Sequence, residues 1–419
     1  MNGGPRPHNG FVKVISIDQL APRLLHLPET PRIIASGNFA TPRTLLAAID
    51  RQLPRYRLNV LNAQVGLPDR EGVTYETAFV GPGMRHSPRL EYVPCRLSLV
   101  PVLFHRYTPP DVVLLHTSLP HDGMVSLGLE VNVMVAAIEA ARDRGALVVA
   151  QANPLMPYTY GDAQIDLDDI DLLVEAEEPL ATHEPPEPDD VSREIGDRIA
   201  ARVADGSTMQ LGIGGIPDAV LASLKTHRGM RLWTEMFSDG VLDLHHNGCF
   251  DEDFPLSTSF VFGSQQLYRW IDRNRRVRLV RTERTNDPGQ IARQRAMTSV
   301  NAALQVDLFA QANASRINGR IFSGFGGSTD FIVGALHSRG GNAYIALPSW
   351  HPKARVSTVV PRIVEPVTSF QHSAIVSEHG IARVFGNSER EQASDIIEQV
   401  AHPAARDSLR EAAHSFGLH

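Results

Sequence analysis

The chain has 419 residues, too many for one ordinary hydrophobic core, so length alone favours two domains of similar size. Hydrophobic residues make up 42% and charged residues 21%, the balance of a water-soluble globular protein. The formal net charge of −7 argues against general binding to nucleic acid or to a membrane surface, because phosphate contacts need a concentrated basic face.

At the N-terminus, MNGGPRPHNGFVKV contains no apolar run of the kind a secretory signal needs. No uninterrupted apolar segment reaches the ~18 residues of a membrane span. The two cysteines, Cys95 and Cys249, cannot build a disulfide framework, and their neighbours have no metal-ligand spacing. A reduced, cytoplasmic protein without a bound metal is expected.

In chain order, Arg32 to Ala35 reads as a strand, Thr41 as a helix cap and Pro42 as the start of a helix running to about Arg51. Leu58 to Leu61 is the next strand. Val112 to Leu115 and Leu147 to Ala150 are further strands, with a helix over Val131 to Arg142 between them. The stretch Thr182 to Asp190 holds three prolines and four acids, and propagates neither a helix nor a central strand. Beyond it Val191, Ile195 and Ile199 form one apolar stripe of a new helix. The expected division is residues 1–187 and 188–419.

The second half repeats the plan of the first. Met209 to Leu211 leads into a glycine turn, Pro217 starts a helix, and Leu232 to Glu235 is the following strand. Aligning Pro42 with Pro217 sets Glu235 opposite Val60, so this carboxylate exists in only one half. Ala343 to Leu347 is a later strand. Alternation of strands and helices predicts mostly parallel sheets covered by helices, with sites at the carboxyl ends of strands.

Chemistry concentrates in a few places. Gly214 and Gly215 allow close approach to the main chain, and a helix beginning beside them leaves N–H groups free for an anion or a developing oxyanion. The same glycines also suit a plain strand-to-helix turn, and they lack the third glycine and downstream acid of a dinucleotide fingerprint. Glu235, between Thr234 and Met236, is costly to bury without partners or a task. A cradle of N–H groups near a candidate carboxylate nucleophile points to acyl transfer. Gly324, Gly326 and Gly327 form a second glycine cluster, Asn301 has an amide able to orient a carboxylate, and Glu378 is a second candidate acid. Five arginines, Arg273, Arg275, Arg276, Arg278 and Arg281, are either a solvated face or a dock for a phosphorylated cofactor.

The string from Leu211 to Leu244 resembles the acetyl-CoA hydrolase/transferase family. The resemblance continues through Val300 to Asp307, Gly324 to Phe331, Gly340-Gly341 and Ser377 to Ala382. In the first half it includes Tyr92-Val93-Pro94, Ser118 to Gly128 and Asn153 to Tyr158, so that it covers about Arg32 to about His402. It implies a CoA-transferase-like fold of two similar open α/β domains with mostly parallel sheets, usually in a homodimer. It also implies coenzyme A as cosubstrate, an acyl-CoA and a small carboxylate as reactants, and a ping-pong route through a glutamyl thioester.

Carried over by residue, Glu235 matches the catalytic glutamate, and Gly214 and Gly215 match the first glycine loop. Gly326 and Gly327 match the loop that holds the oxyanion and CoA, and Asn301 and Glu378 match active-site polar positions. The chain departs from the family pattern at Ser328, where glutamine is common, and at Val333, where arginine is frequent. It departs again at Ser349 to Lys353, where Trp350 brings a bulky indole. These departures bear on substrate identity. Water intercepting the intermediate would make a hydrolase instead, and loss of turnover would leave a CoA-binding protein.

Overall fold

The computed structural model describes residues 12–184, 186–212, 214–368 and 371–418. The N-terminal segment read for a signal lies outside these residues except for its last few, as does residue 213 of the first glycine turn. Two compact units emerge: 1–183 with 257–284 and 321–326, and 184–256 with 285–320 and 327–419. The later segments of the first unit follow the proline-rich linker, so the units interleave in sequence.

In the first unit, eight strands form one sheet: β1 (Lys13–Ile15), β2 (Arg32–Ala35), β3 (Tyr56–Asn59), β4 (Val73–Thr77), β5 (Leu90–Tyr92), β6 (Val112–Thr117), β7 (Leu147–Ala152) and β8 (Leu172–Glu175). Their order is β1-β8-β7-β6-β2-β3-β4-β5. Every neighbouring pair is parallel. All six residues of β6 are buried, as a strand covered on both faces requires. Ile33, Leu58, Tyr75, Leu114 and Val149 pack into one core with helix α1 (Arg43–Asp50).

Local polar groups shift two helix starts from their expected places. Thr41 does not cap α1; its hydroxyl donates to the Asn38 carbonyl, and Pro42 stands at the cap position without a side-chain bond. The cap arrives from far along the chain, since the Glu178 carboxylate accepts the Arg43 and Thr44 N–H groups and Gln151 Oε1 accepts that of Leu45. Helix α2 (Met134–Arg144) begins later than the apolar pattern predicts, because Asn132 sits in the left-handed region at φ 37°.

Burial would raise the Glu178 carboxyl, but donation from Gln151 and Thr44 outweighs it and holds the group below the usual range. Its stabilising effect is therefore present above the ordinary carboxyl pKa and is lost as pH falls through the depressed folded value. Glu178→Gln should lower stability at neutral pH by about 1–2 kcal/mol. Urea unfolding should show that deficit shrinking on acidification.

The second unit repeats this plan with β9 (Thr208–Leu211), β10 (Arg231–Trp233), β11 (Thr298–Ala302), β12 (Asn342–Ala346), β13 (Ala374–Val376) and β14 (Ile381–Arg383). These six run β14-β13-β12-β11-β9-β10. The pairs are parallel except for the edge hairpin β13–β14. The unit β9–α4–β10, with α4 at Gly215–Ser223, thus matches β2–α1–β3, and β11-β12-β13 matches β6-β7-β8. Helix α3 (Asp190–Ala200) carries the predicted Ile195 and Ile199 stripe and is capped by Asp189, whose carboxylate accepts the Ser192 N–H at 2.8 Å. It packs closely on α4 at Gly196, where a methyl group would lie 2.8 Å from the Ala219 carbonyl.

Candidate active site

In the second unit the chain leaves β9 for β10 on one side and later returns to β11 on the other. A parallel sheet opens a crevice at such a reversal, beyond the carboxyl ends of its strands. Both glycine-turn and amide candidates lie there.

Helix α4 begins at Gly215 with Gly214 at its cap, so Pro217 occupies the first turn and does not open the helix. Gly214 adopts φ +121°, a backbone state that residues with a Cβ rarely enter, and this explains its glycine. Asn301 reaches the same loop: its Oδ1 is 4.0 Å from where a Cβ on Gly212 would stand. Its amide donates to Ser299 Oγ at 2.9 Å and to Gln210 Oε1 at 3.3 Å, while Ser299 Oγ donates to Gln210 Oε1 at 2.6 Å. This buried network orients the Asn301 carbonyl oxygen.

Glu235 lies two residues beyond β10 instead of ending the strand. The Thr234 hydroxyl bonds to the carbonyls of Leu211 (3.3 Å) and Met236 (2.9 Å), tying this turn to the end of β9. Trp233 donates through its indole N–H to the Thr285 carbonyl at 3.0 Å. Beside it, the Thr285 hydroxyl donates to Asn286 Oδ1 at 2.8 Å, which leaves the Asn286 amide N–H to donate to Glu235 Oε2 at 2.9 Å. Asn286 is fully buried.

The Glu235 carboxyl is pushed up to about 7: burial raises it most, the Asn286 bond opposes this, and the nearby charge of buried Asp330 adds to the rise. Gly327 closes on the same point, because any Cβ there would overlap both the Glu235 carboxylate and the Asn286 amide. Helix α5 (Ser328–His337) starts immediately after it.

The structure thus brings together Glu235 and Gly327, and adds Asn286 and Asp330, to which sequence reasoning gave no role. Asn286 is 51 residues downstream of Glu235, and no spacing around it marks it out. Asp330 stood inside the second glycine cluster and would have been found by asking which acid the helix start buries. Asn301 and Glu378, the other two polar candidates, each have polar partners of their own: Ser299 and Gln210 for Asn301, and Ser349 for Glu378. Glu378 is held by Ser349, through the backbone N–H at 2.9 Å and the hydroxyl at 2.5 Å. Trp350 turns its indole onto His402 with ring centroids 4.7 Å apart.

Gly326, in the first unit, has φ +56° and accepts the Leu97 N–H through its carbonyl at 2.9 Å. Among the described residues no group of three or more His, Cys, Asp and Glu is placed to hold a metal ion. No helix among them is long and apolar enough to cross a membrane.

The chain is 37% identical over 350 residues to the 4-hydroxybutyrate coenzyme A transferase of Clostridium kluyveri, covering 80% of each protein. The chain belongs to the acetyl-CoA hydrolase/transferase family. The description "Acetyl-CoA hydrolase/transferase C-terminal domain" matches residues 263–413. A succinyl-CoA:acetate/propanoyl-CoA:succinate CoA transferase of Fasciola hepatica is 33% identical over 413 residues, 92% of this chain and 85% of that protein. The crystal structure of RipA from Yersinia pestis superposes with a TM-score of 0.89 at 27% identity, over 97% of this chain and 98% of that one. As a family member the chain is an enzyme of CoA transfer, with the CoA-transferase-like α/β fold of parallel sheets.

Within this family member, replacing Asn286 by Ala removes the donor that favours the charged form of Glu235. The pH at which Glu235 ionises should then rise above 7. If Glu235 reacts as its anion, the rising limb of the kcat/KM profile moves to higher pH and the rate at pH 7 falls about 10- to 100-fold, the effect of one hydrogen bond to a charged group.

Proposed function

We propose that the enzyme transfers CoA between an acyl-CoA and a small carboxylate by a ping-pong reaction through a glutamyl-CoA thioester on Glu235. The observation that carries this reading is an enclosed carboxylate held by the Asn286 amide, with a glycine kept free of a side chain against it. The ionised carboxylate attacks the acyl-CoA carbonyl, giving an acyl-glutamyl anhydride and CoA thiolate. The thiolate attacks the glutamyl carbonyl, releasing the first carboxylic acid as its anion and leaving glutamyl-CoA. A second carboxylate reverses both steps.

An ionisation near neutrality suits this cycle. Glu235 is neutral as anhydride or thioester, so the site needs no permanent counter-charge, yet its ionised form is accessible near neutral pH in the free enzyme. Backbone N–H groups of the loops at Gly214, Gly215, Gly326 and Gly327 are the proposed donors to the oxyanion and to CoA, each oxyanion donor contributing about 3–4 kcal/mol. Asn301 and Glu378 are the proposed substrate-orienting groups, set by Gln210 and Ser349. The proposed setting is a homodimer in the cytoplasm, and the proposed boundary between its α/β domains is residue 187/188.

Mixing the enzyme with acyl-CoA and no acceptor, then trapping with hydroxylamine or borohydride and sequencing by mass spectrometry, should modify Glu235. Modification at Glu378, or at no residue with several acyl-CoAs, overturns the assignment. Adding acetate or a dicarboxylate and following new thioester against free thiol separates transfer from hydrolysis, the second outcome of the same intermediate.

A further inference from the structure

The first unit contains a cavity of about 620 Å³ that the acyl-transfer chemistry above does not use. One wall is aliphatic, made by Leu119, Leu155, Met156, Pro179 and Leu180, with Leu119 and Leu155 left 43% and 48% exposed. The opposite side comes from helix Gln265–Ile271 and the turn after it, which bring Arg269 and Arg273 to the opening.

This side is rigidly built. Asp272 Oδ1 accepts the Tyr158 N–H at 2.7 Å, the Arg273 N–H donates to the Tyr158 carbonyl at 2.8 Å, and the Tyr268 hydroxyl donates to the Ala181 carbonyl at 2.8 Å. Arg273 is held in the left-handed region at φ 52°, where a non-glycine residue stores strain unless its surroundings fix it.

Charge and aromatic surface coincide here. Residues 269–278 carry five arginines against one aspartate, in a chain whose net charge is −7. Arg281 is taken up by Glu139 and Glu283. Among the described residues Arg269, Arg273, Arg275 and Arg278 have no carboxylate within ion-pair distance. Instead Arg273 lies over the Tyr158 ring at 5.4 Å, and Arg275 and Arg278 over Tyr160 at 5.5 and 5.9 Å. The Tyr158 ring is 5.6 Å from Tyr160 and 5.7 Å from His121. His121 itself pairs with Asp122 at 3.1 Å.

We propose that this pocket binds a nucleoside phosphate carrying two or more phosphate charges, with the phosphates on Arg269 and Arg273 and the base against the aliphatic wall and the His121–Tyr158 rings. The volume suits a ligand of that size, and arginine is the residue best shaped for phosphate oxygens. A fatty carboxylate would meet the wall equally well but supplies one charge to a rim that presents two arginines. The same chemistry is available from a free nucleotide and from the nucleotide end of CoA.

Titration of the intact enzyme with a fluorescent ADP (mant-ADP) at low salt tests this. Saturable binding is expected, weakened at least about tenfold by Arg269→Glu with Arg273→Glu and also by Leu155→Trp, which fills the cavity from an exposed position. If ADP leaves the KM for acyl-CoA unchanged, the ligand is a free nucleotide. If ADP competes with acyl-CoA and the double variant raises that KM at unchanged kcat, the ligand is the nucleotide end of CoA. Either result supports the pocket. Absence of saturable binding, or binding that the variants leave intact, overturns it; so does a change of sedimentation in the double variant without nucleotide binding, which would give the surface to a second copy of the chain. Binding should persist in Glu235→Gln, so failure here is separable from failure of the glutamyl-thioester reading.

Discussion

On the proposed glutamyl-thioester route, Glu235→Gln is expected to abolish CoA transfer, by on the order of 10⁴-fold or more, because an amide cannot form the anhydride or the thioester. The same substitution should stabilise the fold in alkaline solution. The carboxyl ionises at about 7 in the folded protein, above its ordinary value of 4.5, so the native state binds the proton more tightly than the unfolded chain. Stability from this group is full below the unfolded pKa and is lost as pH rises through the folded value, a loss of roughly 3 kcal/mol above pH 7.

Glutamine preserves the shape and has no charge to bury, so its advantage should grow between pH 5 and 8. Urea unfolding at those two pH values, beside transfer assays, reads both effects. Equal stability changes at the two pH values would remove the argument for a buried, titrating carboxyl, whatever happened to the rate.

Gly327→Ala carries the second large effect. A methyl group there would overlap the Glu235 carboxylate and the Asn286 amide, both packed at the start of α5. Both must shift, or the backbone at the start of α5 must, and the 2.9 Å bond between them is disturbed. Transfer should fall by about 10²-fold or more, since a displacement near 1 Å at a reacting group has that consequence. The fold should lose about 1–3 kcal/mol through overpacking.

Gly215→Ala provides the contrast. Among the described residues its Cβ would meet only Ser192 Oγ at 3.6 Å, an ordinary contact, so the fold should tolerate it. Steady-state rates and unfolding midpoints for the two variants would decide the matter. Full activity in Gly327→Ala would show that this glycine does not shape the site proposed around Glu235.

Much of the architecture was legible because it rests on local pattern. The apolar runs at Ile33, Leu114 and Val149 became buried parallel strands, and the stripe at Ile195 and Ile199 became the buried face of α3. Boundaries were less legible where distant groups intervene. Thr41 looks like a cap from its neighbours, but the N–H groups of α1 are taken by Glu178, more than a hundred residues away. Asn132 delays α2 through its own backbone angle, which the apolar spacing does not encode.

The candidate site divides in the same manner. Residue order and type alone marked Glu235 as the carboxylate at the end of the apolar run that follows a glycine turn, and the glycines at 214 and 327 as places where the main chain can be approached closely. The family resemblance followed from that ordered string, because a candidate carboxylate and the glycine loops around it leave a recognisable local signature. The partners of Glu235 were decided by tertiary structure. A parallel sheet joins segments far apart in sequence, so it was folding that set Asn286 and Asp330 against the carboxyl and turned Asn301 toward Gln210 and Glu378 toward Ser349. Their burial around one carboxyl, which moves its ionisation to neutral pH, has no counterpart in local sequence.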